Sequence, residues 1–153
     1  MRYIVMVIVM VLTCFDLSTA QAAVTTEERE SLRGLPGVTV SIEKLAPDAQ
    51  ADGLSQETIQ TAVELILRSN GIRVLTQSEM FNIPSAPFLY LRITAIKNGP
   101  VYGLCVNIQL NQQVSLVHSP KHSMFASTWE NAQVAMVGKG NLRDVISGII
   151  EPL

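Results

Sequence analysis

His118 and His122 are the chain's two histidines, and they stand at H-x-x-x-H spacing. On a helix that spacing would put two ring nitrogens on one face, as a metal needs. Pro120 lies between them, however, and His118 to His122 reads as a hairpin turn. A zinc site also takes three or four ligands. The thiol nearest in sequence, Cys105, lies well back along a predicted strand. Solvent-exposed turn histidines are the reading, and no metal or other cofactor is expected. Cys105 and a histidine would act as nucleophile and base only in hydrogen-bond contact. About 40 Å of extended chain separates Cys105 from His118, at roughly 3.3 Å per residue.

Gly138-Lys139-Gly140-Asn141 precedes an apolar helical pattern. Free backbone N–H groups and one lysine there could hold an anion. The G-x-x-x-x-G-K-[ST] phosphate loop is absent, and a turn with a helix cap explains the same four residues. Asp48 and Asp52 share a polar loop, but a calcium loop needs more oxygen ligands at fixed positions. They read as solvated. Glu43, Glu57, Glu64, Glu79, Glu130 and Asp144 are isolated, so no carboxylate pair offers acid–base chemistry. No G-x-S-x-G, H-E-x-x-H or glycine-rich dinucleotide motif occurs. The expectation is that the protein is not an enzyme and has no catalytic residue.

What remains is contact chemistry. Met80 and Phe81 fall in a proline-bearing loop, Gln77 to Pro87, as exposed apolar residues or a lid over one end of the core. Trp129 and Phe125 sit at i and i+4, on one side of a strand, as core aromatics or a partner patch. Arg92, Cys105 and Asn107 occupy the polar face of a sheet. Met80, Phe81, Arg92, Cys105, Asn107 and Trp129 are the candidate interaction residues.

These residues are positioned by one domain behind an export signal. Arg2 is a minimal positive n-region, and Tyr3 to Phe15 is an apolar run. Ser18 to Ala22 ends in Ala20-Gln21-Ala22, an A-x-A cleavage site defined by Ala20 and Ala22. The run is too short for a bilayer span of about 20 residues. Residues 1–22 thus read as a cleavable signal peptide and the location as periplasmic or secreted, with no membrane span in the mature chain. Val11-Leu12-Thr13-Cys14 resembles a lipobox, a minor alternative in which Cys14 carries a lipid; Thr13 is larger than the residue usual there. Cleavage removes Arg2 and Asp16 and leaves the formal net charge at −2. Lys and Arg are scattered singly, without the clustered footprint of a nucleic-acid binder. Cys105 is then the sole thiol and reads as shielded.

Residues 23–37 read as a flexible, charged leader broken by Gly34-Leu35-Pro36-Gly37. Val38 to Glu43 alternates as a first strand. Leu54 to Val74 is the organising stretch. Ile59, Ala62, Val63, Ile66 and Leu67 mark one helix face, Ser55 is its N-cap, Leu54 staples to Ile59, and Asn70-Gly71 with Ile72 is a Schellman stop. Ile72 to Thr76 is expected as a second strand, parallel to the first by a right-handed crossover. Phe88 to Ile96 is the third. Asn98-Gly99 turns the chain into a long fourth strand, Val101 to Val117, with a bulge expected near Asn111-Gln112-Gln113, because Gln112 interrupts an apolar face. Met124 to Val137 is the fifth. Asn141 caps a last helix on which Leu142, Val145, Ile146, Ile149 and Ile150 repeat the apolar stripe. The fold class is α+β: a single five-stranded mixed sheet, order β-α-β-β-β-α, with two helices on one face. Residues 38–153 form that single domain. Its abrupt apolar end at Leu153 reads as truncation of a longer protein.

Gly34-Leu35-Pro36-Gly37-Val38-Thr39-Val40, the helix end Leu67-Arg68-Ser69-Asn70-Gly71-Ile72-Arg73-Val74, Leu89-Tyr90-Leu91 and Ser127-Thr128-Trp129 resemble a family of exported bacterial proteins of unknown function. In that family the last helix runs on, whereas this chain stops at Leu153. The order of elements is also similar to the amino-terminal domain of the TolB envelope protein, which acts in protein contacts. The resemblance implies an exported fold and transfers no functional residue. The sequence therefore leads to a non-catalytic periplasmic domain that binds another envelope protein by sheet-edge addition or through its polar sheet face. The alternative is a small-ligand or lipid carrier with a pocket between sheet and helices.

Overall fold

The computed structural model describes residue 30 and residues 33–150. The signal peptide with Ala20 and Ala22, the lipobox cysteine Cys14 and most of the leader lie outside the described residues. One mixed sheet of four strands is built from β1 (Thr39–Ile42), β2 (Phe88–Asn98), β3 (Val101–Leu116) and β4 (Ser119–Gly138), in that spatial order. Between β1 and β2 come α1 (Pro47–Ala51), α2 (Gln56–Ser69) and α3 (Gln77–Phe81). A 3-10 turn, Lys139–Asn141, leads into α4 (Leu142–Ile150). β1 runs parallel to β2, and β2, β3 and β4 form an antiparallel meander.

The α2 signals all operate. The Ser55 side chain accepts from the Thr58 N–H at 3.3 Å. Leu54 and Ile59 are both buried at the entry. At the exit Gly71 takes φ +78°, and the Ile72 N–H reaches the Leu67 carbonyl at 2.8 Å, closing a Schellman motif. Ile59, Val63 and Leu67 are buried, and they join Leu142, Ile146 and Ile150 of α4 in one core against the sheet. The sheet contributes Val40, Leu91, Ile93 and the even positions Tyr102 to Leu110 of β3 to that core. Both helices thus share one sheet face. Among the described residues no helix covers the other face.

The expected second strand is not formed. Ile72–Thr76 contributes one parallel bridge, Val38 to Val74. Its ends are already engaged: Ile72 closes the α2 stop, and Thr76 caps α3 in a capping box with Glu79. Only the middle is left to bond Val38, through the Arg73 carbonyl at 2.9 Å and the Leu75 N–H at 2.8 Å. Gly37 permits this approach, since a Cβ there would stand 2.5 Å from the Arg73 carbonyl oxygen. The stretches expected as loops at Pro47 to Gly53 and Gln77 to Pro87 each contain a five-residue helix, α1 and α3. Asn141 belongs to the 3-10 turn rather than standing outside α4 as its cap.

The expected bulge lies across the ladder from its predicted place. Leu110 pairs with Trp129 and Asn111 with Ser127, so the extra residue is Thr128 on β4. Gln112 keeps its place on the core face and is buried there, its amide donating to the Thr128 hydroxyl at 2.8 Å. A one-residue insertion exchanges the two faces of a strand. Trp129 therefore faces the helices, while Phe125 faces away, its ring edge-to-face with Phe88 at 5.4 Å. The placing of these two aromatics on one side is corrected by the bulge.

Candidate functional site

Arg92, Cys105 and Asn107 come together. Arg92 pairs with Asn107 and Thr94 with Cys105, side by side on the open face. This face has two halves. In the polar half Tyr90 donates to Glu43 at 2.7 Å and Arg92 Nε to the same carboxylate oxygen at 2.5 Å. Those two hydrogen bonds, Tyr90's first, hold the Glu43 carboxyl below the usual carboxylate range. Asn107 and Gln109 both donate to Glu130, at 2.6 and 3.1 Å.

The other half is apolar. Ile96, Gly103 and Met136 form one cross-strand row, and Thr94, Cys105 and Val134 the next. Ile96 is 68% exposed, Met136 76% and Val134 79%. Met136 lies across Gly103, its sulfur 3.7 Å from where a Cβ would be. Cys105 is half-buried in this patch. The three exposed side chains were not singled out in the sequence; continuing the β2 alternation from Arg92 through Thr94 to Ile96 finds the first of them.

Val134 and Met136 belong to β4, which ends the sheet. Among the described residues nothing pairs with its outer edge. Natural edge strands are kept short or interrupted by charge and proline. β4 is 20 residues long, with Pro120 and Lys121 at its start and a bulge at Thr128. From His122 to Gly138 it carries one charged side chain, Glu130, and no proline.

The opposite edge differs. Beside β1 lies an open cleft of about 640 Å³, whose wall includes Thr39, Glu64, Arg68, Met80, Phe81 and Phe125. Of the two loop candidates, Met80 is buried while Phe81 is 65% exposed at the cleft, so the two residues divide between the lid and the exposed alternatives. Met80 is the buried residue of α3, whose first turn the Thr76–Glu79 capping box fixes. Trp129 is half-buried and packs on the core, away from both surfaces. The cleft sits outside β1. Between sheet and helices Leu91, Leu104, Val63 and Ile146 are buried, and a pocket of about 250 Å³ opens where Leu67 and Ile72 at the end of α2 meet Val38 and Leu110.

Asp52 is not a solvated loop carboxylate. Its side chain is 5% exposed and clamped by Lys97 at 2.6 Å, Lys139 at 2.7 Å and the Tyr102 hydroxyl at 2.6 Å. Lys139, Lys97 and Tyr102 together hold its carboxyl well below the usual carboxylate range. Asp52 in turn raises the Lys97 ammonium, and burial pushes the Tyr102 phenol up, with Asp52 adding to it. The lysine of Gly138-Lys139-Gly140 is thereby committed to an internal carboxylate. His122 shares a 2.7 Å hydrogen bond with Ser119, and both histidines are exposed.

No protein-family model matches the chain, and no curated protein matches it. A solved structure of a PelC dodecamer from Paraburkholderia phytofirmans is similar at 14% identity. The match covers 76% of this chain and 84% of that one, with a TM-score of 0.43. A likeness that slight does not place this chain in a fold or a function.

Proposed function

We propose that the chain is a non-catalytic, exported protein-binding domain that takes up an extended segment of another envelope protein along β4. The observation that carries this is the unpaired outer edge of a 20-residue strand with Val134 and Met136 standing out of it. Added main-chain hydrogen bonds would supply affinity, and the apolar half of the open face would select side chains of the incoming strand. An exposed apolar patch beside an unpaired strand edge is a mark of a contact surface. Periplasmic location and membership of the resembled exported family belong to the same proposal. The pocket between the α2 end and the sheet, about 250 Å³, is smaller than ligand sites of roughly 300–1,000 Å³, which supports strand addition over the carrier alternative.

A charge on the edge strand should abolish the contact, because pairing would bury it. Val134→Lys is expected to lose a complex that the native protein forms in envelope extracts, seen as a slower band on a native gel. Leu65→Lys, at an exposed position on α2, is expected to retain it. Loss with both variants, or with neither, would contradict the proposal.

A further inference from the structure

The β3–β4 hairpin runs past the rest of the sheet. β2 begins at Phe88, opposite Asn111, so beyond that point β3 and β4 pair only with each other. One hydrogen bond from Gln113 N–H to the Ser85 carbonyl, at 2.7 Å, steadies the base of the overhang. The remaining ribbon projects by roughly 13 Å, at about 3.3 Å per residue. Its end is the turn Val117-His118, where Val117 is 98% exposed. A second register break follows. Ser115 pairs with Ser123 and Leu116 with Ser119, so Pro120, Lys121 and His122 are thrown out of the ladder and exposed. Met124 adds an exposed apolar side chain just behind them.

Charge is unevenly placed around this ribbon. The protein is net negative, yet no Asp or Glu occurs between Glu79 and Glu130. The tip carries Lys121 and both histidines and no acid. An exposed apolar end, a lysine beside it and no opposing carboxylate match the boundary of an anionic bilayer. There the apolar side chain enters the acyl margin, and the lysine stem lies along it with its ammonium among the phosphates. We propose that the Val117 tip docks on an anionic phospholipid surface. The remainder of the molecule carries a small net negative charge, so the same surface favours approach by the ribbon.

A single tryptophan tests this. Val117→Trp combined with Trp129→Phe leaves a reporter at the tip, since Trp129 is the chain's one tryptophan. Val117 is fully in solvent, and Trp129→Phe keeps an aromatic ring at the half-buried core position; a far-ultraviolet spectrum and melt matching the native protein's check that the fold is kept. Vesicles of phosphatidylglycerol with brominated acyl chains are expected to shift its emission to the blue and quench it, and phosphatidylcholine vesicles to do so much less. Leu65→Trp in the same background is expected to stay unquenched. Adding Lys121→Glu should weaken binding to phosphatidylglycerol by roughly fivefold or more. The proposal is overturned by equal quenching at positions 117 and 65, by none at 117, or by no preference for the anionic lipid. A blue shift given by a soluble protein fraction but not by vesicles would overturn it too.

Discussion

At the scale of single residues, Asp52 shows how far a side chain's role depends on what folding brings to it. Nothing local marks it, since Lys97, Tyr102 and Lys139 reach it from the β2 end, the β3 start and the 3-10 turn. Its carboxyl lies well below the ordinary range when folded, so its contribution is complete above the unfolded value of about 3.9 and is lost as pH falls below it. Thermal melts are therefore expected to show the native protein losing stability below about pH 4 more steeply than Asp52→Asn, which should be the less stable of the two at neutral pH. Parallel curves would contradict the clamp. Lys97 works in the opposite sense. Its raised value makes its share complete at neutral pH and lost in strong alkali. Arg92, Cys105 and Asn107 were legible as one face because strict alternation assigns faces without any tertiary knowledge.

At the scale of elements, the long periodic segments were legible and the short ones were not. Ser55, Ile59, Val63, Leu67 and Gly71 mark α2 redundantly, from cap to stop. Ser55→Ala and Gly71→Ala are each expected to cost about 1 kcal/mol, one by losing a cap bond and the other by placing a Cβ at positive φ. Urea unfolding curves measure both. Ile146→Ala, deep in the shared core, should cost about 2–5 kcal/mol in the same measurement. The Thr76-x-x-Glu79 box that starts α3 stands in the sequence, but the proline-bearing stretch Gln77 to Pro87 reads as a loop and hides so short a helix. The β4 faces were not readable. Thr128 reverses the alternation midway, so Phe125 and Trp129 lose their apparent common side. A bulge leaves no mark in the sequence of its own strand when the residue that fills it is an ordinary threonine.

At the scale of the whole molecule, the two helices cover one sheet face and leave the other, with both sheet edges, to solvent or a partner. β1 has a bridge from Val74 along its outer side and α3 beside the cleft. β4 has neither. An edge of that length, with exposed Val134 and Met136, makes self-association a hazard unless something occupies it. The α+β class and the mixed sheet were legible from the order of periodic segments. The asymmetry between the edges was not, because it depends on which strand ends the sheet and on how far β3 and β4 outrun β2. Site-specific photo-crosslinking in intact cells tests the β4 contact most directly. A crosslinking residue in place of Val134 or Met136 is expected to give one discrete adduct with another protein, and one in place of Leu65 to give none. No adduct along β4, or the same adducts from Leu65, would contradict the account.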